Sequence, residues 1–316
     1  MKTSTLVLIS LLSFVLGTVV GLIIGLIISP QTPQTRAFPE DSAWRKESIR
    51  VVGSTTVLPI GSECAKAFMK KYETVKITVE GGGSGRGYKE LIDGVCQMGM
   101  ASRPPKEKEL ELARKKGVFL VLHKIAVDAI AIVVHPSVVE RLGGEPLKLT
   151  LEDVGKIFAG KYTRWSEVDP RLPDEEIVVF TREHGSGTRD TFEKFCLKPF
   201  GLKLKPGASE VPSNPAMRLS VEKTPYSIGY LGMGFLKGGV IAVHLAEKKG
   251  ELYYAPTREN AIAGIYPIVR YLYLVTNGIP ESGSLIDRFI DFIKSPEGQS
   301  IVEKCGFIAM YPRQGD

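Results

Sequence analysis

Histidine and cysteine are scarce, with four of each in 316 residues. Cys64, Cys96, Cys196 and Cys305 lie far apart and form no C-x-x-C pair, and the histidines are equally scattered. A structural zinc site needs such residues at close spacing, so none is expected, and no cofactor is called for. The thiols are expected to be buried and free. If the domain lies outside the cell one disulfide is also open to it, with no pairing set by the sequence. The phosphate loop of mononucleotide enzymes, G-x-x-x-x-G-K-[ST], is missing, because Lys89 is followed by Glu90. So is the G-x-S-x-G nucleophile elbow: Arg86 ends the window around Ser84, and His184 begins the one around Ser186. Without a base and its orienter, a serine hydrolase is disfavoured. No zinc-finger spacing, heptad repeat or basic stretch interleaved with aromatics is present, which argues against nucleic acid as a partner. The net charge of +6 therefore reads as a solvated surface that also suits a small anion.

From Thr3 to Thr35 there is no charged residue, and Leu6 to Ile28 is almost wholly aliphatic. Such a run is long enough to span a bilayer and longer than the apolar core of a cleaved signal peptide. No small-x-small cleavage site and no lipid-accepting cysteine follows it. Residues 1–30 are therefore expected to be an uncleaved signal anchor, a single transmembrane helix with the rest of the chain outside. Gly17, Gly21 and Gly25 share one of its faces, as in helix pairs or simply as glycine occurs in membrane helices. Residues 31–47, rich in Pro, Thr, Gln and charge, read as a tether.

Two clusters of small residues and hydroxyls stand out beyond the tether, about a hundred residues apart: Gly81-Gly82-Gly83-Ser84-Gly85-Arg86-Gly87 and Arg182-Glu183-His184-Gly185-Ser186-Gly187-Thr188-Arg189. Each follows an apolar strand-like stretch and precedes a helical pattern. Unpaired N–H groups at a helix start, glycines that let the backbone close in and an adjacent guanidinium are the means by which a chain holds an oxyanion. Two such clusters suggest one anion held between two lobes.

The alternation around them is that of an α/β protein with mainly parallel strands. Strands are expected at Ser48 to Val52, Val75 to Val79, Met98 to Arg103, Ala126 to Val134, Ile177 to Phe180, Ser227 to Leu231 and Tyr266 to Thr276. Helices are expected at Pro59 to Tyr72, Tyr88 to Asp93, Leu149 to Phe158 with Thr150 as cap, Thr188 to Phe195, Met217 to Lys223, Ser284 to Ser295 and Pro296 to Cys305. Arg164 to Glu167 is expected to be a loop. Ligands of such sheets sit beyond the carboxyl ends of the strands.

Taken in order, Gly53-Ser54-Thr55-Thr56-Val57-Leu58-Pro59, Gly81-Gly82-Gly83-Ser84-Gly85, Gly99-Met100-Ala101-Ser102-Arg103 and Arg182 to Arg189 resemble the phosphate-binding proteins that feed ABC-type phosphate importers. Asn214-Pro215-Ala216-Met217 and Ile228-Gly229-Tyr230 resemble later segments of that family, so the similarity spans nearly all of Ser48 to Phe307. The resemblance implies a two-lobed periplasmic-binding-protein type II fold with crossing strands at Ala126 to Val134 and Ile265 to Thr276. The first lobe would comprise residues 48–127 and 263–316, and the second 128–262. It further implies that Thr55, Thr56, Ser84, Gly85 and Ser102 meet inorganic phosphate from one lobe, and Arg182, Ser186, Gly187 and Thr188 from the other. The partner would be an ABC permease in the same membrane, and the chain would be no enzyme. Sulfate or another tetraoxyanion, with a binding or receptor role, is the alternative ligand reading, and an anchored phosphoester hydrolase the more distant one.

Two departures from the family pattern matter. Ser102 stands where some members place an aspartate that accepts the phosphate's proton, which weakens the expected rejection of sulfate; Glu183 or Asp190 would be the substitute acceptor. His184 stands where others carry an acid beside the arginine.

Overall fold

The computed structural model describes residues 47–311. The anchor expected over residues 1–30, and all but the last residue of the tether, lie outside the described residues. Among the described residues, no helix is long and apolar enough to cross a membrane.

The chain begins with β1 (Ser48–Gly53), α1 (Leu58–Lys71), β2 (Lys76–Glu80), α2 (Ser84–Ile92), β3 (Met98–Ala101) and α3 (Glu107–Lys115). β1 lies between β2 and β3, parallel to both. The next strand, β4 (Leu120–Val134), is fifteen residues long. Its antiparallel partner is β11 (Val269–Asn277), which extends the first sheet by pairing with β3. Beyond Ala129, β4 pairs instead with β8 (Ser227–Gly232), which lies parallel to β6 (Val178–Arg182), itself parallel to β7 (Ser209–Val211). One continuous strand thus serves both halves, and the sheet order is β2-β1-β3-β11-β4-β8-β6-β7. The two-residue β9 (Ile241–Ala242) also pairs with β4, while β5 (Lys148–Thr150) and β10 (His244–Ala246) form a separate parallel pair. The second half also carries α4 (Leu151–Phe158), α5 (Trp165–Val168), α6 (Gly187–Cys196), α7 (Asn214–Lys223) and α8 (Arg258–Ile262). Then α9 (Leu285–Lys294) and α10 (Pro296–Lys304) return to the first half.

Each half has its own core. In the first, Ile60, Cys64 and Phe68 of α1 pack against Leu285, Phe289 and Phe292 of α9 and the sheet residues Met98 and Met100. In the second, Phe158, Phe192, Trp165 and Tyr230 gather over Ile132 and Val179. Tyr266, Ile268 and Ile308 pack in this second core. Ile308 and Val127 exchange backbone bonds of 2.9 and 3.0 Å, so the chain's return path runs beside the crossing strand. All four cysteines are free; Cys305 alone is half-buried. Burial pushes the Cys96 thiol up to about 11, which keeps it protonated and inert.

Most helix starts follow the caps that the residues advertise. Thr150, Ser186, Ser213, Ser284 and Ser295 each accept a backbone N–H three residues on. Several local expectations differ from the structure, beginning with β4, which starts at Leu120 where Ala126 was expected, and β11, which starts at Val269 where Tyr266 was expected. The expected loop at Arg164 to Glu167 contains a one-turn helix, held by the bond from the indole of fully buried Trp165 to the Tyr226 carbonyl (2.8 Å). α2 starts at Ser84, four residues before its expected beginning, because Gly83 at φ 89° turns the chain directly into the helix. α3 has no counterpart among the expected helices. Six of its nine residues are charged, and Ala113 is its one buried residue.

Where the two crossing strands run side by side, Asp128 of β4 lies directly opposite Arg270 of β11. The fully buried carboxylate accepts from Arg270 Nε at 2.9 Å and Nη2 at 2.7 Å, and its second oxygen accepts the Met233 N–H at 3.0 Å. Burial pushes the Asp128 carboxyl up and the Arg270 guanidinium down, and each charge opposes the other's shift. Asp128→Ala leaves the cation buried without its counter-ion. It should destabilise the protein by about 3–5 kcal/mol in urea unfolding, and a loss below about 1 kcal/mol would show the guanidinium reaching water unaided.

Candidate functional site

Four helices begin in one small region at the junction of the halves: α1, α2, α6 and α7. The turn before α1 carries Thr55 and Thr56; α2 starts on Ser84; Ser186 caps α6, whose first residues are Gly187 and Thr188; α7 starts on Asn214. Their positive ends thus lie close together, an arrangement that favours an anion.

All nine residues singled out by sequence lie in this region. Ser84 and Ser102 are both fully buried, their hydroxyls 3.3 Å apart, and the Ser102 N–H donates to Ser84 Oγ at 3.0 Å. Gly187 belongs to the other half, and a Cβ on it would collide with both of those hydroxyls. Glycine is thus required there by close approach. Thr56 and Thr188 bring their hydroxyls to 3.0 Å across the junction. The backbones meet as well, through Gly85 N donating to the Gly185 carbonyl at 3.0 Å. Ser186 Oγ accepts the Arg189 N–H as a helix cap, which leaves its own hydrogen to donate.

Arg182 is 1% exposed and spans the junction: Nη2 donates to Thr55 Oγ1 at 3.0 Å. Its fork is held by both oxygens of Glu183 at 2.9 Å. The acid beside the arginine is thus the immediately following residue. His184, which stands where an acid was expected, is 86% exposed and 3.8 Å from Glu210. Behind the arginine, the Tyr230 hydroxyl accepts the Arg182 N–H at 3.1 Å and pairs with Thr181 at 2.8 Å, and its ring stacks on Phe192 at 4.1 Å. Burial raises the phenol well above its ordinary value, so it stays neutral.

Asp190, weighed above as a proton acceptor, has both oxygens committed across the junction. Arg103 Nε and Lys106 Nζ each donate to it at 2.6 Å, and Arg103 is held in turn by Glu109. This bridge edges a cavity of about 400 Å³ that is also lined by Lys194 and Arg270.

Three polar residues of the region were not among the sequence candidates. Asn214 is fully buried, donates to Thr56 Oγ1 at 2.9 Å and accepts from Arg182 Nη1 at 3.3 Å. Asp128 and Arg270 are the others, and Arg270 Nη2 reaches Thr188 Oγ1 at 3.1 Å. A charged residue within each of two apolar strand runs was the available signal.

A family model described as a PBP superfamily domain matches residues 39–297. The phosphate-binding protein PstS of Bacillus subtilis is 33% identical, over 83% of this chain and 80% of its own length. That of Pseudomonas aeruginosa is 30% identical over 82% of each. Among solved structures, a candidate phosphate ABC transporter substrate-binding protein with bound phosphate from Clostridium perfringens superposes with a TM-score of 0.69 at 32% identity, covering 84% of this chain and all of that one. An ABC-type phosphate transport receptor from Vibrio cholerae gives 0.64 at 27%, covering 83% and 100%. The fold is therefore the two-lobed type II architecture of the periplasmic-binding-protein superfamily. Within that superfamily, the chain belongs to the PstS family of phosphate-binding proteins.

Because Tyr230 supplies the acceptor for the buried Arg182 N–H, Tyr230→Phe should cost about 1–3 kcal/mol in urea unfolding. A change within error would mean that the N–H finds another partner.

Proposed function

We propose that this chain captures inorganic phosphate outside the cell and delivers it to an ABC permease in the same membrane. The mechanism is hinge closure with no covalent step: the anion bridges two lobes and selects the state in which they meet. Residues 48–127 and 263–316 form one lobe in this reading, and 128–262 the other. The observation that carries it is the direct meeting of hydroxyls and a guanidinium from the two halves, Thr56 with Thr188 and Thr55 with Arg182, over four helix starts. Phosphate then receives bonds from Thr55, Thr56, Ser84, Gly85 and Ser102 on one side, and from Arg182, Ser186, Gly187 and Thr188 on the other. Family membership supports the ligand and the importer partner. A binding role, with no catalysis, is in keeping with the names those relatives carry.

Titration calorimetry of the full chain in detergent, with phosphate as ligand, tests this. Losing a desolvated cationic donor costs on the order of 2–5 kcal/mol, so Arg182→Ala should weaken binding tens- to thousands-fold. Arg182→Lys should recover only part, since an ammonium lacks the planar fork. Folded Arg182 variants that bind as tightly as wild type would refute the two-lobe site.

Ser102 favours a second, broader ligand range. Glu183 is paired with Arg182, and Asp190 with Arg103 and Lys106, so neither carboxylate is left to accept the ligand's proton. Sulfate should therefore compete measurably with phosphate, and Ser102→Asp should sharpen discrimination against it. Strong exclusion of sulfate by the wild-type protein would contradict this.

The membrane attachment rests on the uncharged run from Thr3 to Thr35. The mature chain should keep Leu6 to Ile28 and fractionate with membranes. N-terminal sequencing that finds a mature chain starting beyond residue 30 would overturn the anchor.

A further inference from the structure

Arg270 is the second buried guanidinium of the region, and it comes from neither cluster of small residues. It sits on β11, one of the two strands that link the halves, with its side chain 5% exposed. Nη2 faces Thr188 Oγ1 at 3.1 Å from one half and Thr56 Oγ1 at 3.4 Å from the other, while Nη1 lies 3.4 Å from the Ser102 carbonyl. Asp128 Oδ2 accepts from Nε and from that same Nη2, so one nitrogen serves both the carboxylate and the threonines. Thr56 Oγ1 also receives the Asn214 amide at 2.9 Å. The two threonine hydroxyls are thus surrounded by N–H donors, and an oxyanion is the kind of partner that supplies acceptors to all of them. Arg270 also lines the cavity of about 400 Å³ beside Arg103, Lys106 and Lys194.

We propose that Arg270 is a second anion-binding residue, supplied by the crossing strand and held in place by Asp128, that contacts the bound tetraoxyanion together with Thr56 and Thr188. This rests on the phosphate reading above and adds a donor from the crossing strand of the first lobe, paired with Asp128 of the second. Arg182 spans the junction from the second lobe. Arg270 approaches from β11, where the two crossing strands pair.

The test uses the full chain in detergent, with inorganic phosphate as the probe. Arg270→Lys keeps a cation opposite Asp128, and the paired Asp128→Asn, Arg270→Gln change removes both buried charges together, which spares the cost of an unpaired ion. Calorimetry should show phosphate bound at least about tenfold more weakly by Arg270→Lys, and more weakly still by the double variant. In the wild-type protein, the guanidinium Nε–H signal that Arg270→Lys deletes from the nitrogen-15 spectrum should shift as phosphate is added. Wild-type binding without that shift, or wild-type affinity in folded Arg270→Lys, overturns the role of Arg270 and leaves the phosphate reading standing. Absence of both heat and shift in the wild-type protein overturns the phosphate reading, and this inference falls with it.

Discussion

The Asp128–Arg270 pair lies where the two halves are joined, and the rest of the site is placed by it. Burying two opposite charges gains little net stability, because desolvation offsets much of their attraction. What the pair supplies is position. It locks β4 to β11 at the one stretch where a continuous strand passes from the first sheet to the second. The guanidinium that it orients then touches threonines from both halves. Gly232 permits the arrangement, since a side chain there would press on the Asp128 carboxylate.

Beside that pair the site is assembled from helix beginnings, and each is of a different make. α6 is capped by a serine hydroxyl, α2 is entered through a glycine in a left-handed conformation, and α7 starts on an asparagine whose side chain ties Thr56 to Arg182. Backbone donors of this kind cost no side-chain ordering when an anion arrives. They are already fixed by the helices and by the apolar clusters behind them, Phe192 behind α6, Tyr88 and Leu91 behind α2, and Met217 and Val221 behind α7.

Much of this was legible because local chemistry and tertiary role coincide. A hydroxyl or glycine between an apolar strand and an amphipathic helix marks a helix start wherever the chain goes next, so Ser84, Ser186 and Thr188 could be found from their neighbours alone. Asn214 lies three residues before the start expected for its helix and was named only within a segment of family resemblance; its importance comes from Thr56 and Arg182, far away in sequence. Asp128 and Arg270 are 142 positions apart, each within an apolar run, and neither explains itself without the other. In the family pattern the acid beside the arginine lies at the place of His184, whereas here Glu183 reaches back to the guanidinium. α3 shows the opposite case: with one buried residue it lacks the apolar face by which a helix is recognised.

The bridge from Arg103 and Lys106 to Asp190 bears on how long a ligand stays. In the hinge mechanism proposed above, opening the halves would break both arms, so they would belong to the barrier for release more than to the recognition of the ligand. The arms differ in their access to solvent: the Lys106 side chain is 37% exposed and the Arg103 side chain 6%. Dissolved salt screens the first arm and scarcely reaches the second. In that mechanism residence time would be coupled to the ionic strength of the surroundings through a single lysine, while the buried arm would set a floor that salt does not erode.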